Sequence, residues 1–116
     1  MSSDKDFIYA IYDELFEKNF DQYKTALNKP IDNGKDPYAR ARNALASLSE
    51  SERSDVINFF RVVIADSASV ILGTLDGVHF PDNLEGDFKL SCEGKDIQGD
   101  LMDIFIEKSQ DAGVYE

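Results

Sequence analysis

A chain of 116 residues that is 42% hydrophobic and 11% aromatic has the apolar content for one folded core. That excludes a disordered chain and predicts a single domain over residues 1–116. The net charge of −11, from 23 acidic and 12 basic residues, repels phosphate backbones and anionic bilayers, so neither direct nucleic-acid binding nor membrane binding is expected.

The N-terminal segment is charged and amphipathic. It lacks the apolar centre of a signal peptide, and no apolar run reaches the roughly 20 residues that span a bilayer, so a cytoplasmic location is expected. Phe7, Ile11 and Leu15, with Ile8, Tyr12, Phe16, Phe20, Tyr23 and Leu27 in adjoining rows, predict a helix to about Asn28 that stops before Pro30. Ser3 is the expected cap. After a loop, Asp36 followed by Pro37 is a helix-entry pair, because proline's missing N–H costs nothing at the first helical position. A short helix is predicted from Pro37 to about Leu48, with Ala41, Ala44, Leu45 and Leu48 inward and Arg40 and Arg42 solvated or paired with acids.

Ser49 with Glu52 three residues later fits a capping box, and it opens the strongest helical pattern in the chain. Val56, Phe59, Phe60, Val63, Ile64, Ser67, Val70 and Ile71 follow a 3.6-residue period. The small residues Ala65, Ser67, Ala68 and Ser69 would let another helix approach. A central helix packed on more than one side is expected, ended by Gly73 or Gly77. Beyond a turn-rich stretch, Phe88, Leu90 and Cys92 alternate with Lys89, Ser91 and Glu93, and Gly94 supplies a hairpin turn before a return strand with Ile97 inward. A third short strand near Val78–Phe80 is left open. Asp100 reads as the N-cap of a last helix with Leu101, Ile104 and Phe105 in its core row, and Gly113 as the release of the tail. The fold class is α+β: three N-terminal helices, a C-terminal β-hairpin and a final helix.

Familiar catalytic patterns are missing from the sequence. The lone cysteine, Cys92, reads as a small buried apolar residue with no basic neighbour to activate it. His79 is the one histidine, too few for a histidine zinc site, and no phosphate loop or nucleophile elbow occurs. Asp32 to Asn43 imitates a calcium loop but has Pro37 where glycine is needed and Asn43 in place of the bidentate glutamate. The expectation is a protein without enzymatic activity, cofactor or metal.

The charge is uneven. Residues 78–116 hold ten acids against three bases, −7 of the −11, including Glu85, Asp87, Glu93, Asp96, Asp100, Asp103, Glu107 and Asp111. Hairpin and last helix are neighbours in sequence, so these charges are expected to share a surface able to attract a basic protein. A solvated face and a weak divalent-metal site are the other readings.

The stretch from Phe59 to Lys108, "FFRVVIADSASVILGTLDG" followed by "GDFKLSCEGKDIQGDLMDIFIEK", resembles small cytoplasmic immunity proteins of bacterial toxin–immunity systems. The resemblance implies an inhibitor that neutralises a basic toxin domain, a nuclease for example, by covering its active site. It supplies no residue-by-residue site. The partner-binding residues expected from charge are Asp87, Glu93, Asp96, Asp100, Asp103 and Glu107. Two alternatives remain open: an adaptor or regulatory subunit that dimerises through its helices, and a small carboxylate- or metal-dependent enzyme. Both monomer and homodimer are compatible with the sequence.

Overall fold

A computed structural model describes residues 3–116 as a mostly helical α+β fold. In chain order it runs α1 (Ser3–Tyr12), a π-helical segment (Asp13–Asn19), α2 (Phe20–Leu27), α3 (Pro37–Leu45), α4 (Glu50–Leu75), β1 (Ser91–Cys92), β2 (Lys95–Asp96) and α5 (Leu101–Asp111). The single N-terminal helix expected from periodicity is thus three segments. Spacing explains why. Ile8, Tyr12 and Phe16 are the buried residues of α1 and the π segment. A four-residue step over-rotates an α-helix by about 40°, and the wider π turn takes that rotation back. The core row therefore stays aimed inward, and Phe7, Ile11 and Leu15, expected at the centre of that row, are left half-buried beside it. Ser3 lies inside α1 and is not its cap.

The entry to α3 follows the sequence: the Asp36 side chain accepts from the N–H groups of Tyr38 and Ala39, with Pro37 in the first turn. Its buried row is shifted to Ala39, Arg42 and Leu45, while Ala44 is exposed. Arg42 can be buried because both ends of its guanidinium are satisfied. Nε donates to the Ala26 carbonyl at 2.8 Å and Nη1 to Asp32 Oδ2 at 2.7 Å. Asp32 Oδ1 accepts from the Gly34 N–H, so the carboxylate of the calcium-loop mimic is taken up by an arginine and a turn.

The Ser49–Glu52 capping box forms in both directions. At the far end of α4, Gly77 has φ +75°, the left-handed position that ends many helices, and the N–H groups of Val78 and His79 donate back to the Gly73 carbonyl. No strand forms at Val78–Phe80. The hairpin is short, with Ser91 opposite Asp96 and Cys92 opposite Lys95. Its two central residues, Glu93 and Gly94, have φ +50° and +81°, the double positive φ of a type I′ turn.

Asp100 caps nothing with its side chain. The N-terminus of α5 is instead capped by Asp76, at the end of α4, whose two oxygens accept from Gly99 N–H at 2.6 Å and Met102 N–H at 2.8 Å. One carboxylate thereby ties two helices together. The tail is not released either. Gly113, at φ +76°, turns the chain so that Val114 buries against the core and its N–H donates to the Ser109 carbonyl. The Tyr115 hydroxyl then donates to Asp66 Oδ1 on α4.

The main core joins Ile8, Tyr12 and Phe16 to Ala65 and Leu72 through Leu101, Phe105 and Val114. A second, smaller cluster of Leu27, Leu45 and Ile57 anchors α2 and α3 to the start of α4. Helix α5 packs on both α1 and α4, and it fills one side of the space between them. The other side is open.

Candidate interaction surfaces

Every one of the six expected partner-binding residues, Asp87, Glu93, Asp96, Asp100, Asp103 and Glu107, is exposed. Asp100, Asp103, Glu107 and Asp111 follow steps of three and four along α5 and so fall in one row. The positive φ of Glu93 puts it at the hairpin tip, and Asp96 sits on β2. Among the described residues only Asp96 of the six has a cationic neighbour, Lys89 at 3.9 Å, and it also accepts from the Ser91 hydroxyl. The only lysine on α5, Lys108, turns away and lies over the rings of Tyr9 and Tyr12, 4.9 and 5.0 Å from their centroids. No group of three His, Cys, Asp or Glu side chains among the described residues is arranged to hold a metal ion.

Cys92 is exposed, which corrects the expectation of a buried thiol. A two-residue strand ends before the alternation can carry Cys92 to the core; Leu90 is partly buried against the core, and Ile97 on the return strand is buried. His79 and Cys92 are not brought together. His79 lines a cavity of about 290 Å³ with Asp76, Asp87 and Gln98, whereas Cys92 lines another with Asp6, Phe7 and Ile97.

The second surface was assigned to the core by its sequence. Helix α4 buries only Ile57, Ala65, Leu72 and Gly73. Of the row expected to face inward, Phe59 is 60% exposed, Ile71 64%, Val70 48% and Val63 47%. Between this row and α1 runs an open apolar groove of about 470 Å³, walled by Phe7, Ile11 and Leu15 on one side and Val63, Ile64 and Ile71 on the other. Among the described residues no charged one lines it. From Val56 to Leu75 the helix has just two charges, and both are turned to other elements. Arg61 reaches the Ala112 carbonyl and the Phe20 ring, and Asp66 accepts from Tyr115, whose hydroxyl pKa is raised by burial and by that bond.

By length and apolar composition alone α4 could cross a membrane, although Arg61 and Asp66 interrupt its apolar run. The available signal was the spread of apolar residues around α4, which fall on more than one face of the helix.

Comparison with protein-family models, with curated proteins and with solved structures finds no match. Any functional reading therefore stands on the chemistry of the two surfaces.

Proposed function

We propose that the chain is a non-enzymatic binding protein that grips a basic protein partner through the carboxylates of α5 and the hairpin, in the manner of a small bacterial immunity protein covering a toxin domain. One observation supports this most. Five of the six carboxylates, all but Asp96, have no cation within ion-pair distance among the described residues. Asp32 is held by Arg42; these five, in a region with ten acids against three bases over residues 78–116, remain available to an incoming positive surface. A toxin domain that handles nucleic acid must be basic around its active site, and an acidic face steers such a partner into encounter. Hairpin and helix together can supply the roughly 800 Å² per partner of a standard interface.

The test uses a basic partner isolated by affinity capture at low salt, with association rates then measured against rising salt. The quadruple reversal Glu93→Lys, Asp96→Lys, Asp100→Lys and Asp103→Lys is expected to slow association by about tenfold or more and to flatten its salt dependence. Unchanged kinetics in that variant remove these residues from the interface. Toxicity of the partner, relieved by the wild-type chain and not by the variant, is the expected cellular counterpart.

A further inference from the structure

We infer that the apolar groove and the outer row of α4 form a symmetric interface for a second copy of this chain. The first support is surface area. The described fold exposes 8065 Å², whereas a folded monomer of 13.0 kDa exposes about 6,300 Å². Its radius of gyration, 17.3 Å, likewise exceeds the roughly 13 Å of a compact chain near this length. The chain by itself leaves roughly a quarter more surface wet than its mass predicts.

The second support is the size and composition of this face. Phe59 to Leu75, the stretch of α4 centred on Ser67, spans about 24 Å of helix, and with α1 alongside the face is roughly 20 Å wide. That offers on the order of 500 Å² per chain, so two copies would bury about 1,000 Å², the size at which specific interfaces begin. Among the described residues no charge lines the groove, and the one charge bordering the outer row, the exposed Asp66, is bonded to Tyr115, so the basic partner selected by the carboxylates of α5 gains little electrostatic contact here. A second copy needs none.

The third support is self-complementarity. Ser67, a small exposed residue, sits near the middle of the row. If two α4 helices cross in antiparallel fashion at Ser67, Val63 of one meets Ile71 of the other, as a two-fold axis requires. The small residue allows close approach, and the two α1–α4 pairs close into a four-helix bundle at the interface. This dimer uses a face distinct from the carboxylate row and leaves that row accessible in both copies.

Sedimentation velocity from about 1 µM to about 1 mM is expected to show a 13.0-kDa species giving way to one of twice that mass. The dimer is expected to tighten as salt screens the repulsion between two chains of net charge −11, the reverse of the salt response of the acidic face. Val63→Glu is expected to weaken dimerisation by at least about 100-fold, and Asp103→Lys to leave it no weaker. In a Cys92→Ser background, Ser67→Cys is expected to cross-link in air, since sulfurs bridge only when their Cα atoms lie within about 7 Å. Should Val63→Glu lose helical circular dichroism, Val63→Ser with the cross-link takes its place. A monomer across the whole range, a dimer indifferent to both Val63 substitutions, or a monomer that binds neutral phosphatidylcholine vesicles through this face overturns the inference.

Discussion

Two parts of this molecule treat their side chains in opposite ways. Helix α5 is short and economical: Leu101, Phe105 and Ser109 are fully buried, while Asp103 and Glu107 face water. None of its acids is buried and none of its large apolar residues is exposed. Helix α4 is more than twice as long and does not divide its residues in this way. It has a buried row, a half-buried groove wall and an exposed apolar row. A helix with one apolar stripe is finished by its own fold. A helix apolar over most of its circumference requires another surface. The contrast separates a region that can present charge without cost to the fold from one whose exposed face is incomplete.

The heaviest blow to both regions is aimed at the residue that joins them. The Phe105 ring is 0% exposed, lies 6.3 and 6.2 Å from the Tyr12 and Phe16 rings, and belongs to the cluster that seats α5 between α1 and α4. Phe105→Ala is expected to cost about 3–5 kcal/mol, a large share of the roughly 5–15 kcal/mol that holds an ordinary domain. Urea denaturation followed by circular dichroism measures it. A loss below about 1 kcal/mol would mean that α5 is not the keystone of the helical core.

A lesser change loosens the two regions from each other while leaving each intact. Asp76→Ala removes both acceptors that cap α5 and is expected to cost about 1–2 kcal/mol. Hydrogen exchange is expected to quicken at Gly99 and Met102 before it does in the middle of α4. Uniform quickening would show that the carboxylate is not a local tie. Asp100→Ala, by contrast, is expected to change stability by less than about 0.5 kcal/mol, since its side chain caps nothing.

Much of the local structure was legible in the sequence because it depends on nearest neighbours. Asp36–Pro37, Ser49 with Glu52, Gly77 and Gly94 each do what their chemistry dictates within four residues. What failed depends on distant partners. Nothing near Asp76 in sequence reveals that its acceptors serve Gly99 and Met102, more than twenty residues away. Nothing near Gly113 says that Val114 finds a place in the core. Periodicity located the apolar row of α4 but not its covering, because a pattern says that a face is apolar without saying which molecule buries it. The six carboxylates singled out by charge were legible as exposed side chains. Their pairing was not: that Asp96 lies near Lys89 while Asp103 and Glu107 have no cation within ion-pair distance among the described residues is a fact of tertiary placement.

Surface substitutions give the sharpest contrast at little cost to the fold. Val63→Glu, and the pair Asp103→Lys with Glu107→Lys, are each expected to move the urea midpoint of the isolated chain by an amount equivalent to about 0.5 kcal/mol or less. Measured at a concentration where the chain is monomeric, both should leave the helical signal intact. Their binding effects should not cross over. The first is expected to affect self-association and the second capture of a basic protein. If either variant disturbs both, the two surfaces are coupled, and the division between them fails.

The smallest expected effect is a response to pH at the start of α4. Backbone and side-chain hydrogen bonds from Ser49 hold the Glu52 carboxyl below its usual pKa, and the N–H groups of Ala39 and Tyr38 do the same for Asp36. A carboxyl whose folded pKa is depressed contributes stability that is fully present above its unfolded value and drains away as pH falls through the folded one. The denaturation midpoint is therefore expected to be level from neutrality down to the ordinary carboxylate range and to fall below it. Glu52→Gln separates this contribution from the general protonation of 23 acids. Glutamine can make the same reciprocal bond to the Ser49 N–H but carries no charge, so the variant is expected to be slightly less stable than the wild type at neutral pH, to lose less on acidification and to converge with it in acid. An acid limb as steep in Glu52→Gln as in the wild type would place the pH sensitivity elsewhere, with Asp36 the next residue to change.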